Sequence, residues 1–140
     1  MKLSKSEILK AIDKWNGAWD TYDLDGVVDL FHENVLFVNW TGGRAEGKEN
    51  VRGAWKSWFE NNGGFKFTVE DLFVDEEEQK VLYRWRLDWP STEPGFENAP
   101  EVRYGADVMH FENGKVTKKL TYSKTTLEIS GKRVRLTAKK

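Results

Sequence analysis

The chain contains no cysteine, which removes a disulfide framework, thiol catalysis and thiolate metal sites. Histidine is almost as scarce. His32 and His110 stand far apart, so neither a zinc centre nor any other metal site is expected. Neither sign of charge dominates, because 22 Lys plus Arg face 23 Asp plus Glu, for a net charge of -1. That balance gives no global drive toward nucleic acid or an anionic membrane. The locally basic end, Lys132, Arg133, Arg135, Lys139 and Lys140, reads as a solvated tail. No apolar run approaches the roughly 18 residues of a membrane-spanning helix, and the opening MKLSKSEILK lacks the apolar core of a signal peptide. The expectation is a soluble, cytoplasmic protein that binds neither nucleic acid nor membrane.

Aromatic side chains are what the sequence has in quantity: 7 Trp, 4 Tyr and 8 Phe. Their large burial areas make a real core feasible although only 39% of residues are apolar, and 140 residues suit one domain over positions 1–140. Ile8, Leu9, Ile12, Trp15, Trp19 and Tyr22 recur every three or four positions, which predicts a helix from Ser4 to Tyr22 with Ser4 or Ser6 as its cap. Leu24, Val27, Val28, Leu30 and Phe31 predict a second, short helix. The period then changes to two over Val35–Trp40, a strand that stops at Thr41, Gly42 and Gly43. Lys48 to Asn61 reads as a third helix, ended by Asn61, Asn62, Gly63 and Gly64.

Strands fill the remainder. Phe65, Phe67, Val69, Asp71 and Phe73 alternate with polar neighbours, and Val81, Tyr83, Trp85, Leu87 and Trp89 share one face of the next strand. All 3 prolines fall between Pro90 and Pro100, a long loop that is either a binding loop or a plain connection. Val102 to Glu112 and Lys115 to Glu128 flank Asn113-Gly114, a hairpin signal, and a last short strand covers Arg133 to Leu136. Helices first and antiparallel strands afterwards imply an α+β class, with three N-terminal helices packed on one face of a strongly curved, mostly antiparallel sheet.

This pattern resembles the nuclear transport factor 2-like superfamily, which includes ketosteroid isomerases and SnoaL-like polyketide cyclases. The stretch Asp23-Leu24-Asp25-Gly26-Val27-Val28-Asp29-Leu30-Phe31-His32-Glu33-Asn34-Val35, the pair Gly47 and Val51 before the third helix, and His110-Phe111-Glu112-Asn113-Gly114-Lys115-Val116 carry the resemblance. It implies a cone-shaped fold with a hydrophobic pocket, a homodimer and no cofactor. The isomerases' general base falls at Asn39, which cannot take a proton from carbon at neutral pH, and their oxyanion-hole tyrosine falls at Trp15, which donates but does not transfer a proton. Their oxyanion-hole aspartate falls at Asp107. Two departures in three argue against steroid isomerisation.

Counting by two puts Arg103, Gly105, Asp107, Met109 and Phe111 on one face of their strand, more like a pocket wall than a solvated surface. Asp107 is therefore the candidate catalytic group, expected to be the one titratable residue in the pocket, with its carboxyl raised by apolar neighbours. Pairing with Arg103 is the alternative. Asn39 either orients a substrate or bonds its own backbone. Trp15, Trp19, Phe31, Trp55, Trp58, Phe59, Trp85 and Met109 either line a cavity for a small apolar or cyclic ligand or simply fill the core. His110 is expected to face away, and His32 to cap or lie exposed. Arg84 and Arg86 are expected to pair with acidic residues of a neighbouring strand or subunit. Three functions remain open: an isomerase, lyase or hydrolase working through Asp107, a non-catalytic ligand-binding protein, and a protein-interaction module.

Overall fold

Helix formation begins where the sequence offers a cap. In the computed structural model, which describes residues 1–61 and 64–136, the Ser4 hydroxyl accepts from Glu7 N while the Glu7 carboxylate accepts from Ser4 N. This reciprocal pair starts α1 (Lys5–Asp20), whose Ile8, Ile12, Trp15 and Trp19 are buried. Asp23 then caps α2 (Leu24–Val28) by accepting from Gly26 N at 3.0 Å. The second helix does not reach Phe31. That residue opens β1 (Phe31–Val38), because the chain there pairs with a later strand: Val116 N donates to Leu30 O at 2.9 Å.

The first strand also ends before Trp40. Residues 39–43 turn back into β2 (Arg44–Glu46), a short polar strand with no apolar alternation to announce it. Gly47, at a φ of 89°, donates to Val35 O and accepts from Val51 N, which launches α3 (Lys48–Asn61) from the end of that hairpin. The expected stop at Asn62 and Gly63 lies outside the described residues, as do Lys139 and Lys140.

Six strands follow: β3 (Lys66–Asp75), β4 (Lys80–Pro90), β5 (Pro100–Glu112), β6 (Lys115–Ser123), β7 (Thr126–Ile129) and β8 (Lys132–Arg135). The expected single strand from Lys115 to Glu128 is thus two, β6 and β7. Along the sheet the order is β2-β1-β6-β5-β4-β3, with β7 pairing β5 and β8. Only the β1–β6 pair is parallel among these pairings. The fold is a cone-shaped α+β architecture, with the helices against the concave side of a strongly curved, mostly antiparallel sheet. Asn113 and Gly114, both at positive φ, make the two-residue turn between β5 and β6.

Two bulges decide which side chains enter the cone. Register shifts between Val69 and Asp71, so Phe67, Leu72 and Val74 pack against the core while Phe73 is 60% exposed. It shifts again where His110 pairs Lys118 but Phe111 pairs Val116, leaving Thr117 unpaired. As a result Val116, Lys119 and Thr121 all point inward, across what unbroken alternation would make two faces. The loop between Pro90 and Pro100 is tied down: Ser91 N donates to Ala99 O, and Asn98 N to Ser91 O. Among the described residues no helix is long and apolar enough to cross a membrane.

Candidate functional site

Between α1, α3 and the concave sheet face lies a cavity of about 290 Å³. Six of the seven tryptophans, Trp15, Trp19, Trp40, Trp55, Trp58 and Trp85, line it together with Phe37 and Phe67. Exposed Ala54 and Ser57 mark the mouth, and buried Asp107, Lys119 and Thr121 mark the base. The wall is assembled edge to face: Trp15 meets Trp19 at 5.8 Å and Tyr83 at 5.9 Å between ring centres, and Trp19 meets Trp55 at 5.2 Å. Gly105 permits one part of this wall. A Cβ there would sit 2.3 Å from the Trp85 ring and 2.3 Å from Tyr122 O, so only glycine lets Trp85 lie on the strand.

The base carries a closed polar triangle. Thr121 Oγ1 donates to Asp107 Oδ1 at 2.7 Å, Lys119 Nζ donates to Thr121 Oγ1 at 2.8 Å, and Nζ lies 3.2 Å from Asp107 Oδ2. Asp107 on β5 faces Thr121 on β6 directly in the strand register. Asp107 is therefore not the one titratable group in the cavity, and its partner is Lys119 rather than Arg103. Burial holds the Lys119 amine below the usual lysine range, opposed by the neighbouring Asp107 carboxylate. Tyr83 completes the titratable set: burial first, and then Asp107, push its phenol well above the usual range, and its hydroxyl donates to Asn16 Oδ1 at 2.8 Å.

Asn39 lines the cavity, but its side-chain oxygen is committed. It accepts from Thr41 N at 3.0 Å, Thr41 Oγ1 at 2.6 Å and Gly43 N at 2.9 Å, which holds the turn after β1. That leaves the amide N–H groups as its remaining donors. Of the eight apolar candidates, Trp15, Trp19, Trp55, Trp58 and Trp85 line the cavity, whereas Phe31, Phe59 and Met109 do not. Phe31 and Met109 are buried in the core, and Phe59 packs against Trp19 at 5.0 Å and Phe65 at 5.5 Å. Sequence reasoning also missed Lys119, Thr121, Phe37, Trp40, Phe67 and Tyr83. The Thr117 bulge hid the first two, because plain alternation places Val116, Lys118, Leu120 and Tyr122 on the inner face.

Histidines stay out of the site. His110 lies on the opposite face of β5, where partial burial and then Lys80 and Lys118 hold its imidazole below the usual range. His32 Nδ1 accepts from Asn34 N at 3.0 Å. Arg84 pairs with Asp71 of β3 at 2.6 Å, and Arg86 with Asp88 of its own strand at 2.8 Å. Beyond Trp40 a second buried ionic group fills the same face of β5. The Arg103 guanidinium lies 4.6 Å from the Trp40 ring centre and donates to Glu101 at 3.2 Å and Glu93 at 2.9 Å, while Glu101 also accepts from Ser91 Oγ at 3.0 Å and from Trp89 Nε1. Among the described residues no three His, Asp or Glu side chains converge to hold a metal ion.

A family model described as a SnoaL-like domain matches residues 12–119. No curated protein matches the chain. Among solved structures, a nuclear transport factor 2-like protein of unknown function from Burkholderia pseudomallei is similar with a TM-score of 0.73 at 12% identity, over 84% of this chain and 91% of that one. TerC, co-crystallised with polyporic acid, is similar with a TM-score of 0.72 at 14% identity, over 85% and 92%. A nuclear transport factor 2-like protein of unknown function from Mesorhizobium loti gives 0.67 at 19% identity, over 85% and 92%. These likenesses are likenesses of fold.

Proposed function

We propose, from the premise that this chain belongs to the SnoaL-like domain family, that it binds one small apolar or cyclic molecule and exchanges a proton with it through Asp107, as a cofactor-independent isomerase, lyase or hydrolase. The observation that carries this reading is the aromatic cavity with a single polar triangle, Asp107, Lys119 and Thr121, at its base. Apolar walls supply affinity and a few converging polar groups fix orientation. Asn39, which also lines the cavity, contributes a donor through its amide N–H groups. TerC, of similar fold, was co-crystallised with a small molecule, polyporic acid; the aromatic walls of this cavity suit a cyclic ligand.

The test has two readouts. Naphthol binding is followed by calorimetry, and α-proton exchange of tetralone in deuterium oxide is followed by NMR. The expected outcome is binding together with exchange that Asp107→Asn abolishes. Binding without exchange would instead support the non-catalytic member of the same fold, and no binding would leave the interaction-module reading.

A homodimer is part of the proposal. On the convex face Phe73, Leu82, Val108, Leu120 and Val38 follow one another across five strands in register. Phe73 is 60% and Leu82 39% exposed, and the row is flanked by the Arg84 and Asp71 pair. An apolar row with charged margins suits a self-complementary contact. Sedimentation as a monomer at micromolar concentration would contradict it.

A further inference from the structure

Lys119 is the buried charge that proton exchange through Asp107 does not require. Its side chain is 7% exposed, and its Nζ lies 4.8 Å from the Phe37 ring centre, 5.6 Å from Trp55 and 5.9 Å from Trp15. Long lysine side chains ordinarily carry the ammonium to water. Here two of three ammonium hydrogens are engaged, by Asp107 and Thr121, and the third has no partner among the described residues. The rings come from β1, α3 and α1 and bring no charge to the amine. From β5 it faces Asp107, and Tyr83 of β4 lines the same cavity. Desolvation lowers the proton affinity of the amine, which is how lysine nucleophiles are activated.

We propose that Lys119 is a nucleophilic amine that condenses with the carbonyl group of an apolar aromatic aldehyde or ketone held in the cavity, giving an imine and water. This inference rests on the cavity taking a small apolar ligand. The Lys119 ammonium passes one proton to Asp107 Oδ2 across 3.2 Å, leaving a free amine. The amine lone pair attacks the carbonyl carbon, the C–N bond forms, and the carbonyl π pair moves to oxygen. That oxygen takes a proton from the new ammonium, with the Thr121 hydroxyl 2.8 Å from Nζ as the relay, to give a neutral carbinolamine. The Asp107 carboxyl then protonates the hydroxyl, which leaves as water while the nitrogen lone pair closes the C=N bond. A protonated imine remains, paired with the Asp107 carboxylate, and no oxidant or reductant is consumed.

The experiment treats the whole protein at neutral pH with naphthaldehyde and cyanoborohydride, then maps the modified lysines by mass spectrometry. One naphthylmethyl group is expected on Lys119, formed faster than on any surface lysine, since burial lowers the proton affinity of the amine and leaves more of it free. Excess naphthol should protect Lys119 in the unaltered protein, and Lys119→Arg should remove the adduct while keeping the charge. Asp107→Asn should move the pH midpoint of trapping lower, because the carboxylate that favours the ammonium is gone. Adducts spread evenly over surface lysines, or an unmodified Lys119 in a protein that binds naphthol by calorimetry, would overturn the inference alone. Failure to bind naphthol would overturn the cavity reading beneath it.

Discussion

The interior face of β5 carries two buried ionic groups, and they are built differently. Toward one end, Glu101 and Arg103 are 1% and 3% exposed and closed on themselves: the guanidinium reaches two carboxylates and stacks on Trp40, and Glu101 also accepts from Ser91 and Trp89. Four positions on, Asp107 meets one ammonium and one hydroxyl, and Lys119 retains a hydrogen facing aromatic rings and the cavity. Both are buried, but they differ in counter-charge: Arg103 has two carboxylates within reach, Lys119 one. A cluster in which one cation meets two carboxylates is a structural brace. An under-used one beside a cavity is a place where a ligand can complete the hydrogen bonding.

The largest effect is expected from removing the cation of the Glu101 and Arg103 cluster. Arg103→Met leaves Glu101 buried without its counter-charge, and urea denaturation should show a loss of about 3–5 kcal/mol. The double variant Glu101→Leu with Arg103→Met should recover most of it, because an apolar replacement of both ions removes the uncompensated charge. Gly105, between the two groups, comes next. Gly105→Ala drives a methyl into Trp85 and the Tyr122 carbonyl, with an expected cost of about 2–3 kcal/mol and weaker naphthol binding.

Asp107→Asn is expected to cost less, about 1–2 kcal/mol at neutral pH, since Lys119 can shed its proton where Arg103 cannot. The sign of its pH dependence follows from Lys119. Its folded pKa is lowered, so between the folded value and the ordinary lysine range the unfolded chain binds more protons, and stability rises with pH across that window. Above the folded value of Lys119 the amine is neutral and has no charge to lose a partner. The deficit of Asp107→Asn should therefore shrink as the solution becomes alkaline, which thermal melts across pH will show. An Asp107 that needed no partner would give no deficit at all.

How much of this was legible beforehand depended on whether the strand period was unbroken. β5 has no irregularity between Glu101 and His110, so counting by two correctly sets Arg103, Gly105, Asp107 and Met109 on one face. β6 carries the Thr117 bulge, and β3 the one at Glu70. One unpaired residue in each reverses the face of what lies beyond it, which concealed Lys119 and Thr121 and misplaced Phe73. The spacing of Phe31 from Val27 and Val28 fits a helix, while the pairing of the chain with β6, invisible locally, makes it a strand. β2 has only three residues, two of them charged and exposed, and leaves no periodic trace.

A control lies off both ionic groups. Phe73→Glu on the convex face should change the stability of the folded protomer by no more than about 0.5 kcal/mol, yet shift sedimentation from dimer to monomer. It should leave naphthol binding as it was.

The triangle at Asp107 and Lys119 is expected to meet the ligand, and the Glu101 and Arg103 cluster is not. This difference is tested most directly by NMR of the protein labelled with carbon-13 at lysine Cε and nitrogen-15 at arginine Nε, titrated with naphthol. The Lys119 resonance should move and saturate together with the calorimetric isotherm, while Arg103 and the surface lysines stay fixed. A Lys119 resonance that holds still while naphthol binds, or an Arg103 resonance that moves in its place, would contradict the account.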